Sequence, residues 1–168
     1  MIRSLAKIML NATAKRENSS RQKRFLAWEN INNIALLVDA NDCNDKRTLD
    51  KFIDETKKHV EVYFLEPAAK ETSYHDWHCF TKKDRNFFQL PKKNTYLELK
   101  NKRFDVCINT CDKENLFSDS LHAVLKAPLK CGTHLEYNIS DLVIQKTEPT
   151  NLINYLNEVV RYLKMIRT

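Results

Sequence analysis

Glycine is all but missing from this chain: Gly132 is the only one among 168 residues. A loop that cradles phosphate needs glycines so that the backbone can turn sharply and approach the anion. Neither G-x-G-x-x-G nor G-x-x-x-x-G-K-[ST] can therefore exist here, and there is no G-x-S-x-G nucleophile elbow. The usual dinucleotide, kinase and serine-hydrolase chemistries are excluded on that ground. Long apolar runs are missing too. The opening stretch, MIRSLAKIMLNATAKR, is interrupted by Arg3 and Lys7, and nothing approaches the roughly 20 apolar residues of a membrane span. The expectation is a chain without signal peptide or span, located in the cytoplasm. Paired cysteines are also absent. Cys43, Cys79, Cys107, Cys111 and Cys131 are odd in number and mostly sit in apolar runs, which predicts reduced core residues and no disulfide frame.

What is present is charge, unevenly spread. Charged residues make up 30% of the chain and the net charge is +6. Met1 to Glu29 holds seven bases (Arg3, Lys7, Lys15, Arg16, Arg21, Lys23 and Arg24) against Glu17 and Glu29, so nearly all of the surplus lies in this leader. The leader has helix-forming composition, and Ile2, Leu5, Ile8, Met9 and Ala12 share one face at helical spacing. Asn18-Ser19-Ser20 is expected to break or restart the helix, with Phe25, Leu26 and Trp28 packing onto the domain. The division expected is a basic helical arm, 1–30, followed by one domain, 31–168. One reading makes the seven bases a surface for an anionic partner; the other leaves them as solvated charges on a packed helix.

The most informative stretch is Arg103 to Gly132. Phe104 to Thr110 reads as a strand buried on both faces, as in a parallel sheet. Asp112 is the expected N-cap of a following helix, with Glu114 in its first turn, where negative charge suits the helix dipole. Leu116, Phe117, Leu121, Val124 and Leu125 recur at helical spacing. Ala127-Pro128 ends that helix, and Leu129 to Gly132 is the next strand, giving a right-handed βαβ unit.

Ile34 to Val38 is a second continuous apolar strand, followed by a polar loop, a helix over about 46–58 buried through Leu49, Phe52 and Ile53, and a strand over 60–65. Thr81 to Asp84 resembles a capping box, 86–88 a helical turn before Pro91, and 94–102 a short helix. Asp141 to Gln145 is a last short strand. Thr147-Glu148-Pro149 is a strong helix start, and Leu152, Ile153, Leu156, Val159, Val160, Leu163 and Ile166 stripe a terminal helix lying across the sheet, with Arg161, Lys164 and Arg167 toward its positive-seeking end.

In a doubly wound sheet, ligands bind beyond the carboxyl ends of the strands. Asp39, Asn41, Asp42, Asn109, Thr110 and Asp112 are expected at that rim, as ligand contacts or as residues that cap helices and shape turns. The intervening 66–79 segment is expected to be irregular, with Trp77 and Phe80 buried. Its His75, His78 and Cys79 suggest a metal site, with Cys131 and His134 as a distant second pair. A structural zinc site shows four ligands in spaced pairs, so no metal is assigned. No cofactor and no catalytic residue is assigned either.

Taken in order, FTKKDRNFF, RFDVCIN with DKENL, LKCG, DLVI and YLNEVVRYLKMI resemble an uncharacterised family of small bacterial proteins of unknown function with a Rossmann-like domain. The resemblance spans nearly the whole chain and implies a fold without a reaction. More distantly, the F-D-hydrophobic strand, helix and K-x-G strand resemble the N-terminal half of heptosyltransferase-type glycosyltransferases, whose second sugar-nucleotide domain does not fit in this length. The expected architecture is a Rossmann-like three-layer α/β sandwich with a mostly parallel sheet of about five strands, preceded by the basic helix. The expected function is a non-enzymatic binding protein that docks on RNA or the ribosome. A small-molecule or glycan-binding domain and a protein–protein scaffold are the alternatives. A membrane surface is ranked below RNA because it would want a larger apolar face with Trp or Phe anchors in the arm itself.

Overall fold

The structure is a computed structural model, and it describes residues 1–67, 76–112, 115–146 and 151–167. The chain begins with α1 (Ile2–Ser20) and continues through β1 (Asn33–Asp39), α2 (Lys46–Thr56), β2 (His59–Leu65) and β3 (His78–Phe80). It then forms α3 (Lys93–Leu99), β4 (Val106–Asn109), α4 (Leu116–Val124), β5 (Leu129–Gly132), β6 (Leu142–Val143) and α5 (Leu152–Met165). The six strands pair in parallel in the order β3-β2-β1-β4-β5-β6. This is the doubly wound Rossmann-like arrangement, and the strand order reverses between β1 and β4. The strand beyond the five expected is β3, which begins at the end of the segment read as irregular.

β1 shows why both faces of the sheet are apolar. Ile34, Leu36 and Val38 point to the side covered by α2 and α5, where they join Leu49, Leu156 and Val159. Ala35 and Leu37 point to the opposite side, against Leu99 of α3 and Phe117 and Leu121 of α4. With helices on both faces a central strand has no solvent side, so its sequence reads as a continuous apolar run.

Local chemistry sets the helix ends. Asp45 caps α2, accepting from Arg47 N at 3.1 Å and from Thr48 Oγ1 at 2.7 Å. α4 begins later than expected: its cap is Asn115, whose Oδ1 accepts from Phe117 N and Ser118 N. Asp112 turns instead to Lys146. Glu114, expected in the first turn, and Thr147-Glu148-Pro149, expected to start α5, lie outside the described residues; α5 is capped by Asn151, which accepts from Asn154 N at 2.9 Å. The Thr81–Asp84 capping box is present. The helical turn expected over 86–88 is not. Asn86 Oδ1 takes the N–H groups of Phe88 and Leu90, and that competition folds the segment into a turn that brings Arg85 and Pro91 into an antiparallel bridge.

α1 lies on α4, and the face it buries differs from the one its larger side chains suggested. Ala6, Leu10 and Ala14 are buried, whereas Ile2, Leu5, Ile8 and Met9 point outward and are 40–65% exposed. Leu10 and Ala14 pack with Ala123 of α4, Leu90 and Ile139. Ala6 and Ala14, two turns apart on either side of Leu10, let the two helices approach closely, and this outweighs the larger apolar area of the other face. α4 is consequently covered on all sides, with every residue from Phe117 to Val124 buried. After Ser20 the chain passes beneath the sheet. Arg24 N donates to Pro128 O, and Leu26 enters the core on the far face while Phe25, expected to pack, stays half exposed. Residues 1–30 thus lie against the domain at α4, at β5 and in the α5-side core.

Candidate functional site

At the amino ends of β4 and β5 the backbone stitches three basic segments together. Arg103 and Lys126 form an isolated parallel bridge, Phe104 N donates to Lys126 O at 2.9 Å, and Arg24 N donates to Pro128 O at 3.0 Å. Lys23, Arg24, Arg103 and Lys126 ring a cleft of about 820 Å³. Glu17 is the one acid among its lining residues, and it is engaged by Arg16 at 2.9 Å and by the Tyr96 hydroxyl at 3.0 Å.

Two further bases form the back of this cleft. Arg21 grips Asp141 with both arms of its guanidinium, at 2.5 and 2.8 Å, and also donates to Pro128 O at 3.1 Å. Burial works against ionisation of Asp141. The Arg21 bonds and charge, the Lys130 N–H and Lys23 outweigh it, and they hold the carboxyl below its ordinary range. Lys130, 1% exposed, donates from Nζ to His122 O at 2.6 Å and Ala123 O at 2.9 Å, satisfying carbonyls at the end of α4 that lack helical partners. Burial lowers its pKa to about 8.

A second cleft, of about 790 Å³, opens where the strand order reverses, beyond the carboxyl ends of β1 and β4. Asp39, Asn41, Asp42 and Asp112 line it, with Arg3 and Arg85 on its walls. Asp39 Oδ1 accepts from both the backbone and side-chain nitrogens of Asn41 at 2.8 Å. Lys146, its side chain 8% exposed, sits between Asp42 at 3.2 Å and Asp112 at 2.6 Å. Burial still raises the Asp42 pKa, and Asp112 and Asp39 add to the rise against the attraction of Lys146.

A family model described as a family of unknown function, DUF6913, matches residues 3–166. The chain belongs to that family. No curated protein and no solved structure matches it. The match to DUF6913 takes in every element from α1 to α5, so the basic leader and the sheet fall within one family unit.

In this DUF6913 chain the seven leader bases separate in space. Lys23 and Arg24 line the basic cleft, and Arg21 is locked behind it. Arg16 stays at the α3 side with Glu17 and Tyr96, and Lys15 is exposed on α1. Arg3 lines the other cleft, and Lys7 is half-buried on α1. Of the six rim residues, Asp39, Asn41, Asp42 and Asp112 do line a cleft. Asn109 and Thr110 are instead interior: Asn109 accepts from Cys111 N and donates to Asp119, and Thr110 Oγ1 donates to Leu37 O. Sequence reasoning missed Arg103, which precedes β4, Lys126, which precedes β5, and Lys130 within β5, because only the crossover makes them neighbours. It also missed Lys146 and Arg85.

Among the described residues the His/Cys segment is not assembled into a site. His75 lies outside the described residues. His78 stacks on Tyr63 with ring centroids 5.0 Å apart and approaches Glu61 at 3.3 Å. Cys79 is exposed, and partial burial pushes its thiol up, away from a reactive thiolate. β5, which carries Cys131, is three strands away from β2 and four from β3, and His134 pairs with Asp119 at 3.3 Å. Among the described residues no group of three or more His, Cys, Asp or Glu side chains is placed to hold a metal ion. All five cysteines are free, and burial pushes Cys107 and Cys111 up to about 12.

Proposed function

We propose that this protein is a non-enzymatic binding protein that docks on RNA, alone or within the ribosome, through the basic cleft. The observation that carries the reading is the backbone-enforced convergence of Arg24, Arg103 and Lys126, with Lys23 beside them. Main-chain hydrogen bonds hold the backbones that carry these bases side by side, so no loop has to be ordered when a phosphate backbone settles among them. Two of the three are arginines, whose planar fork matches phosphate oxygens. Lys130 adds positive potential from behind without touching the ligand, whereas the charge of Arg21 is balanced by Asp141. The proposed setting is the cytoplasm.

Binding of this kind releases counterions and is steeply salt-dependent. With four phosphates engaged on a single strand, affinity is expected to fall roughly 50-fold between about 50 mM and about 200 mM salt. Fluorescence anisotropy with a labelled single-stranded RNA at both salts tests this. Salt-independent binding, or none at the lower salt, overturns it.

A second reading rests on the cleft at the strand-order reversal. It makes the protein a small-molecule or glycan binder descended from a glycosyltransferase half, with Asp39, Asn41, Asp42 and Asp112 offering acceptors to a hydroxyl-rich ligand. Amide shifts confined to Asp39–Asp42 and Asp112 on titration with nucleotide sugars are the expected result. Their absence removes it.

A further inference from the structure

Apart from Ile2, which lines the reversal cleft, the outward apolar face of α1 belongs to neither cleft. Ile2, Leu5, Ile8 and Met9 are 51%, 47%, 65% and 40% exposed along a helix that forms the outermost layer of the molecule. Beside it the 85–91 turn presents Phe87 at 73% exposure. The turn is fixed to α1, because Phe88 and Leu90 pack with Leu10 and Ala14. Phe87 is thereby held next to the helix, its ring 5.6 Å from that of Phe88, which shares the reversal cleft with Ile2. An apolar strip with an aromatic at its border is more than scattered surface hydrophobicity.

Charge decides what covers it. α1 carries no acid before Glu17, and Lys15, Lys82, Lys83, Lys92 and Lys93 are exposed on the helix and on the segment that packs beside it. A second copy of the chain would bring this rim, in which five lysines outnumber Asp84, against itself. We infer that α1 lies in the plane of an anionic lipid surface, with Ile2, Leu5, Ile8, Met9 and Phe87 at the acyl boundary and the lysines among the headgroups. A flat-lying helix needs one apolar face and a cationic border, not the length of a span. No helix of the described residues is long and apolar enough to cross a membrane, in keeping with an in-plane contact. Phe87 supplies from the neighbouring turn the aromatic anchor that α1 itself lacks. The inference is independent of the RNA reading, since it uses a different set of bases.

Co-sedimentation of the full chain with vesicles tests it, using phosphatidylcholine alone and phosphatidylcholine mixed with phosphatidylserine. Binding only to the mixed vesicles is expected. It should weaken about fivefold for each lysine removed in Lys82→Gln and Lys83→Gln, and be lost in Leu5→Glu with Ile8→Glu. Both glutamates would point to solvent, and an unchanged melting curve shows that the fold survives. If that variant does unfold, the lysine variants and Phe87→Ser decide the matter alone. No sedimentation, equal binding to both vesicle types, or a dimer in solution that the glutamates dissociate would each overturn the inference. RNA affinity is expected to be unchanged in all of these variants.

Discussion

The backbones of Arg103 and Lys126 stand side by side across an isolated parallel bridge, two like-charged residues at the mouth of a cleft. Neighbouring like charges in a sheet repel, so this arrangement costs stability. Lys126→Ala is expected to stabilise the fold by roughly 0.2–1 kcal/mol at low salt, with the gain shrinking as salt screens the pair. Urea unfolding at two salt concentrations measures this. Destabilisation by a similar amount would mean that Lys126 supports the fold and is not held against repulsion.

Arg21 and Asp141 show the opposite balance. Their side chains are 7% and 6% exposed, so removing one leaves the other charged and buried. Arg21→Ala is expected to cost about 3–5 kcal/mol. The folded Asp141 carboxyl lies below its ordinary 3.8. Its contribution is therefore complete above the unfolded value and is lost as pH falls through the lower folded one. Chemical denaturation from neutral pH down to about 3 should show the wild type converging on Arg21→Ala only at the acid end.

Lys130 gives a signature in the alkaline range. Its pKa falls from 10.5 to about 8 in the folded protein, so the unfolded chain binds more protons between those values. Stability should rise with pH across that window, because the folded state is relieved of a buried charge. Lys130→Met is expected to abolish that part of the rise, seen as the difference between the two melting profiles. Parallel profiles would show that Lys130 keeps an ordinary pKa.

The lone glycine is required by contact, not by backbone conformation, since no glycine has positive φ. A Cβ at Gly132 would overlap Ser140 Oγ, with Ser140 Cβ 3.4 Å away. Gly132→Ala should cost about 1–3 kcal/mol through overpacking, and Ser140→Ala in the same chain should restore most of it. Failure of that rescue would place the strain elsewhere.

The central strands were legible because burial on both faces writes itself as an apolar run, as in Ile34 to Val38. β3 was not, because His78, Cys79 and Phe80 carry no period and gain their strand form from pairing with Tyr63, Phe64 and Leu65. The face of α1 was misjudged for a related reason. Which side a helix buries depends on the partner, and α4 favours the close approach that Ala6 and Ala14 permit over the bulk of Ile8 and Met9. The rim residues at the end of β1 could be read from strand polarity alone. Arg103 and Lys126 could not: 23 positions separate them in the chain, and only the βαβ crossover makes them neighbours.

The proposal that RNA docks at the basic cleft is tested most directly by comparing two triple variants of equal charge. One, Arg24→Ala with Arg103→Ala and Lys126→Ala, empties the cleft. The other, Lys15→Ala with Arg161→Ala and Lys164→Ala, removes exposed bases elsewhere. In RNA titrations over a range of salt, the cleft variant should lose most of its affinity, with the slope of log K against log salt reduced by about two, while the control keeps the wild-type slope. Equal losses in both variants would contradict docking at the cleft and reduce the interaction to net charge.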